Sequence, residues 1–255
     1  MELFHRVYDN HGGTRPPLII LHGLFGSSDN WMTQARMMAD AFTVHTLDLR
    51  NHGLSPHDPS CTYAEMAEDV RQFIKSRNLP PVVLIGHSMG GKVAMTLAVT
   101  HPELIAHLIV VDIVPKAYSR HHNHIIEGLQ AIPLASLTSR QQADEVLTGF
   151  VPDASVRQFL LKNLSRSADQ GFTWKINLNV LVQYMDEILS DPVGNRMYSG
   201  PCLFIFGKRS DYFQLEDEQR LALVFPNHRT VFLNTGHWVQ AEKPEEFVQT
   251  VLSFF

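Results

Sequence analysis

The stretch Pro81-Val-Val-Leu-Ile-Gly-His-Ser-Met-Gly-Gly-Lys-Val-Ala-Met95 decides how the rest of this chain is read. Val82 to Ile85 form a short, continuous apolar run of the kind that makes a strand buried on both faces. The run leads into Gly86-His87-Ser88-Met89-Gly90, and helical character resumes from Lys92. A G-x-S-x-G string recurs by chance, but between a buried strand and a helix it describes a sharp turn that presents a serine as a nucleophile. Side chains at positions 86 and 90 would collide with backbone in so tight a turn, and Gly91 lets the helix pack close. The serine is held strained near the positive end of the following helix, where developing negative charge is stabilised. Ser88 is therefore the candidate nucleophile, with a plain helix N-cap as the structural alternative.

Working outward, short apolar runs alternate with amphipathic stretches, the pattern of a mostly parallel sheet covered by helices. Strands are expected at Leu18 to Leu21, Thr43 to Leu47, Val82 to Ile85, Leu108 to Val111, Cys202 to Phe206 and Thr230 to Leu233. Helices are expected at Tyr63 to Arg77, Lys92 to Thr100, Gln214 to Val224 and Glu245 to Phe255. The alternation breaks from Pro115 to Asp191, where helical periodicity is punctuated by Pro133 and Pro152 and little reads as a core strand. An insertion of helices there is most simply a cap over the carboxyl ends of the strands, where ligands bind in open α/β sheets. The expected division is a core of residues 1–114 and 192–255 with a helical cap at 115–191. If apolar cap residues such as Phe159 and Leu160 face the pocket, they shape acyl preference.

Acyl transfer needs two N–H donors aimed at the tetrahedral oxyanion, one from the residue after the nucleophile and one from a loop after an early strand. Met89 and Leu24, the latter in the turn His22-Gly-Leu-Phe-Gly26, are the candidates. Gly236-His237-Trp238 stands between the last strand and the last helix, where a histidine can reach over the sheet to Ser88. His237 is thus the candidate base among 14 histidines. Two carboxylates compete to orient it. Asp112 ends the buried run Leu108 to Val111, whereas Asp211 follows the Cys202 to Phe206 run in the loop after Gly207, one residue beyond Ser210.

The remaining features bound the problem. The chain has 255 residues, enough for one α/β domain with an insertion, and its 44% hydrophobic and 18% charged residues exclude disorder and fibrous repeats. A net charge of −5 gives no basic field for nucleic acid or anionic lipid, so a small-molecule partner is expected. No apolar leader opens the chain and no run is long enough for a membrane span, which makes the cytoplasm the expected compartment. Cys61 and Cys202 read as core thiols, being too few for a disulfide framework and without metal-ligand spacing. Asp48 to Ser55 reads mainly as a tight connection. Arg120, His121, His122 and His124 read as a solvated helix face, ahead of a positive rim for anionic acyl carriers. No metal is expected, because no carboxylate or cysteine stands at ligand spacing to these histidines.

With these segments in view, the chain resembles the α/β-hydrolase superfamily over its whole length, and more closely the YbfF-type bacterial esterases. The closer likeness rests on His22-Gly-Leu-Phe-Gly-Ser, Asp48-Leu-Arg-Asn-His-Gly-Leu-Ser55, Gly86-His-Ser-Met-Gly-Gly-Lys92, Val111-Asp-Ile-Val-Pro115 and Gly236-His-Trp-Val-Gln-Ala-Glu-Lys-Pro244. The resemblance implies an α/β-hydrolase fold and a cofactor-independent serine esterase with a helical cap, acting on acyl esters and acyl thioesters. It implies Asp112 as the acid, since an aspartate in the Val-Asp-Ile segment has that role in the group. The loop Gly207-Lys-Arg-Ser-Asp-Tyr212 departs from the group's pattern. Carbon-carbon hydrolases and cofactor-free haloperoxidases use the same triad and stay as alternatives, as does a ligand-binding member without catalysis. Dehalogenases and epoxide hydrolases of this fold carry aspartate at the elbow, against which Ser88 argues.

Overall fold

The computed structural model describes residues 1–10, 12, 15–120, 123–167 and 171–255. Its strands, in chain order, are β1 (His5–Tyr8), β2 (Leu18–Leu21), β3 (Val44–Leu47), β4 (Val82–His87), β5 (Ile105–Val111), β6 (Leu164–Arg166), β7 (Phe172–Trp174), β8 (Cys202–Gly207) and β9 (His228–Leu233). Its helices are α1 (Met32–Met38), α2 (Tyr63–Ser76), α3 (Met89–Thr100), α4 (Asn123–Ala131), α5 (Arg140–Thr148), α6 (Ala154–Leu161), α7 (Leu178–Gln183), α8 (Met185–Leu189), α9 (Asp217–Val224), α10 (Val239–Glu242) and α11 (Pro244–Leu252). Among the described residues, seven strands form one sheet in the order β1-β3-β2-β4-β5-β8-β9. β1 runs antiparallel to β3, and every other pair in the sheet is parallel.

Alternate residues of the inner strands feed two cores, one on each face, as the period of two requires. Ile19, Leu84, Leu108, Val110 and Phe204 join the core under α2 and α3. Leu18, Ile20, Val83, Ile85, Ile109 and Ile205 join the core under α1 and α11 with Trp31 and Phe247. Each such side chain contributes roughly 1.5–3 kcal/mol when fully buried. α2 begins where its sequence dictates. Thr62 caps it by accepting from the Glu65 amide, and Glu65 accepts back from the Thr62 amide.

Several boundaries differ from the sequence expectations for local reasons. α3 starts at Met89 rather than Lys92, because the two glycines needed in the turn also serve as its first helical turn. α9 starts at Asp217, whose carboxylate accepts from the Gln214 amide and turns the chain before the helix. The last helix is two pieces, α10 and α11, and begins before Glu245. β1 and α1 had no strong apolar run to announce them. Residues 115–191 carry α4 to α8 and also a short antiparallel hairpin, β6 with β7, which the helical periodicity did not predict. Among the described residues no helix is long and apolar enough to cross a membrane.

Candidate active site

The strand β4 delivers Ser88 to the carboxyl end of the sheet. Ser88 has φ 52° and ψ −119°, a region that non-glycine residues rarely adopt, and it is pinned there because its amide donates to Val111 O at 3.0 Å. The glycines around it are required by contact. A Cβ at Gly86 would lie 2.2 Å from Gly90 O, one at Gly90 2.5 Å from His22 O, and one at Gly91 2.5 Å from Ile113 Cγ2. The Ser88 hydroxyl does not cap α3, so the helix leaves it free for other chemistry.

The turn after β2 approaches Ser88 so closely that a Cβ at Gly23 would stand 3.3 Å from Ser88 Cβ. Leu24 and Met89 line one cleft with Ser88, together with Tyr63, Lys92, Ile113, Tyr118, Ile188, Leu189 and Tyr212. Among the described residues neither the Leu24 nor the Met89 amide is taken by another protein acceptor. The turn is braced from beneath by Asp48 to Ser55, a segment whose part in the site sequence reasoning understated. Asp48 accepts from the Ser28 and Leu54 amides at 2.6 and 2.8 Å. His52 Nδ1–H donates to Arg50 O, leaving Nε2 to accept from the Phe25 amide at 3.3 Å. Burial, followed by the neighbouring His22, pushes His52 down to about 3, so it stays a neutral acceptor. Gly53, at φ 59°, is needed because a Cβ there would meet Asp48 Oδ2 at 2.1 Å. From above, the buried Asn163 donates to Phe25 O at 2.7 Å. No sequence signal marks Asn163.

His237 sits beside this assembly. Its Nδ1–H donates to Asp112 Oδ2 at 2.7 Å. Its carbonyl accepts from His87 Nε2–H at 2.9 Å, so the residue before Ser88 in the elbow fixes the backbone that carries His237. Burial, and then His237 itself, holds His87 well below the usual imidazole range. The Tyr212 ring stacks on the imidazole, with centroids 4.1 Å apart and planes 17° from parallel. Tyr212 also lines the cleft of Ser88.

Asp112 is fully buried, at φ 50°, and accepts from the Gly207 amide at 2.9 Å and from Ser210 Oγ as well as from His237. Ser210 thus occupies the offset at which many superfamily members carry the acid, and it donates to the carboxylate that pairs with the histidine. Asp211, the competing acid, is exposed, and its carbonyl accepts from Gln214.

The other sequence candidates lie elsewhere. Phe159 is half-buried and packs on Trp238 with centroids 5.9 Å apart, and Leu160 is buried in the core; neither lines the cleft. The residues that reach it from 115–191 are Tyr118, Ile188 and Leu189. Arg120 pairs with Asp186 and His124 is exposed, while His121 and His122 lie outside the described residues. Cys61 and Cys202 are both buried and unpaired, and burial raises Cys61 to about 11. Among the described residues no three His, Cys, Asp or Glu side chains converge as metal ligands.

Comparison with known proteins identifies the family. A solved marine microorganism esterase superposes with a TM-score of 0.96 at 39% identity, covering 100% of this chain and 99% of that one. The sn-1-specific diacylglycerol lipase ABHD11 of Mus musculus is 38% identical over 250 residues, 94% of this chain and 81% of that protein. The esterase YbfF of Escherichia coli is 34% identical over 238 residues, 92% and 91% of the respective chains. The family model described as alpha/beta hydrolase fold matches residues 16–244, and the chain belongs to that family.

Proposed function

We propose that this chain is a serine esterase that splits carboxylic acyl esters, and acyl thioesters by the same route, through an acyl-enzyme on Ser88. The observation that carries the reading is the hydrogen bond from His237 Nδ1 to Asp112 Oδ2, on a histidine whose backbone is held by the neighbour of Ser88. Esterase and lipase names among the relatives support it.

In this mechanism Ser88 Oγ attacks the acyl carbonyl carbon while His237 Nε2 takes its proton. Asp112 keeps the imidazole in the Nδ1–H tautomer and stabilises the imidazolium. The oxygen that gains charge is met by the Leu24 and Met89 amides, each such donor being worth on the order of 10²–10³ in kcat. His237 then returns the proton to the departing alcohol or thiol, and a water activated by the same base releases the acid. Residues 115–191 act as the cap, supplying the cleft wall through Tyr118, Ile188 and Leu189.

The test uses p-nitrophenyl esters and acyl thioesters of graded chain length with wild type and Ser88→Ala, and labelling by a fluorophosphonate. Wild type turns over esters and labels at Ser88, and the variant does neither. Full ester hydrolysis by Ser88→Ala, or an unlabelled wild type, refutes the reading.

A further inference from the structure

The cleft of Ser88 shares a wall with a second cavity. The rear cavity measures about 240 Å³, against about 30 Å³ for the cleft as it stands. One floor runs beneath both. Ser88 and Lys92 face the cleft, Thr96 and Thr100 face the rear cavity, and the spacing of four keeps all of them on one side of α3. Thr96 stands about 12 Å along the helix axis from Ser88. α8 spans both as well, with Ile188 and Leu189 on the cleft and Glu187 on the rear cavity.

The wall between them is Tyr63, which lines both spaces and is only 1% exposed. Lys92 completes it, with Nζ 5.7 Å from the Tyr63 ring centroid. The two side chains are tethered to the same end of α8. Tyr63 OH donates to Ile188 O at 2.6 Å, and Lys92 Nζ donates to Leu189 O at 3.1 Å and to Ser190 O, with Ile188 O at 3.5 Å.

Most of the rear surface is apolar, with Glu68, His101, Glu187 and Arg196 as its charged or titratable members. Thr96 and Thr100 spend their hydroxyls on Lys92 O and Thr96 O, each at 2.8 Å, and so have no hydroxyl proton left to offer a ligand. Ala64, Ala67 and the Tyr63 ring add apolar surface. These four groups are engaged with the protein: Glu68 pairs with Arg71, Glu187 accepts from the Tyr63 amide, Arg196 donates to Val193 O and Pro192 O, and His101 Nδ1 meets Glu103.

Resting on the reading that Ser88 carries an acyl group, we propose that Tyr63 sets the limit on acyl-chain length and that the cavity behind it is a latent extension of the acyl cleft. It would take the distal methylenes of a long-chain acyl group once the ring no longer divides the two spaces.

The test compares wild type, Tyr63→Ala, Ala64→Phe and the double variant on p-nitrophenyl esters from acetate to palmitate. Each methylene that enters the rear cavity is worth roughly fourfold in kcat/KM. The laurate-to-butyrate ratio of Tyr63→Ala should therefore exceed that of wild type by at least about tenfold, chiefly through KM. Ala64 is exposed on the rear wall, so a phenylalanine there is accommodated and should cut back the gain in the Tyr63→Ala background. Tyr63→Leu, a shorter apolar plug, gives a smaller shift in the same direction and serves in place of Tyr63→Ala if that variant fails to fold. A folded variant at position 63 with the wild-type chain-length profile overturns the proposal, and so does a gain that survives Ala64→Phe. Hydrolysis of butyrate by wild type separates these outcomes from failure of the esterase reading, in which no ester is turned over at all.

Discussion

Replacing Asp112 by asparagine tests the centre of the proposed mechanism. Three donors converge on this carboxylate: the Gly207 amide, Ser210 Oγ and His237 Nδ1. Asparagine offers one carbonyl oxygen and an NH₂ group. Its oxygen is claimed by the Gly207 amide, which the backbone fixes, so the NH₂ must face Ser210 and His237. The serine hydroxyl can rotate to accept. The imidazole can accept only by moving its proton from Nδ1 to Nε2, the atom that has to receive the proton of Ser88. Loss of the working tautomer costs on the order of 10⁴ in kcat, equivalent to about 5.5 kcal/mol. The substitution is a clean probe because asparagine adopts positive φ readily and Asp112 sits at φ 50°. Ser210→Ala removes one hydrogen bond and should cost only about twofold to tenfold. Asp211→Asn, altering an exposed carboxylate, should stay within about twofold of wild type. Steady-state hydrolysis of p-nitrophenyl butyrate ranks the three. An Asp112→Asn enzyme with more than a tenth of wild-type kcat, or a crippled Asp211→Asn, would show that the orienting acid has been misassigned.

Two further perturbations follow from the bracing of the site. Asn163→Ala frees Phe25 O and should lower kcat by roughly 3- to 30-fold, less than loss of a proposed oxyanion donor, and destabilise the protein by about 1–3 kcal/mol; steady-state kinetics and urea midpoints would check both, and an unchanged kcat would mean that the turn holds its shape without that hydrogen bond. Buried histidines make the fold sensitive to acid: burial pushes His52 to about 3 and His45 to about 4, and lowers His22 and His87. With folded values below the unfolded value near 6.5, the unfolded chain binds more protons between about pH 6.5 and 4, so stability should fall with pH there by up to about 1.4 kcal/mol per pH unit for each histidine. Urea midpoints that stay level from pH 7 to pH 4.5 would contradict this.

What the sequence disclosed is what short-range sterics dictate. Gly86, Gly90 and Gly91 could be read as a turn because the strand before them and the helix after them leave no space for side chains, and that arrangement lies within fifteen residues of chain. The buried strands were visible as continuous apolar runs, whereas β1, with His5 and Arg6 on an edge, offered no such run. His237 was visible from its place after the last strand. The contacts that hold the site were not, since they join distant segments. Asn163 and Phe25 are 138 residues apart, and His87 and His237 are 150 apart. Ser210 looked like a missing acid, and only the proximity of the β5 and β8 ends reveals that it donates to the carboxylate of the neighbouring strand.

The double anchoring of Phe25, by His52 below and Asn163 above, bears on how this scaffold can be recombined. A chimera that takes residues 115–191 from a relative imports one of the two fasteners on the turn after β2 along with the new cleft lining. Asn177 makes a second such junction, its side-chain amide donating to Asn51 Oδ1 at 3.2 Å. Grafts that match cleft shape but lack asparagines at these two positions should bind the intended acyl group and turn it over slowly, and restoring the pair is the first repair to make.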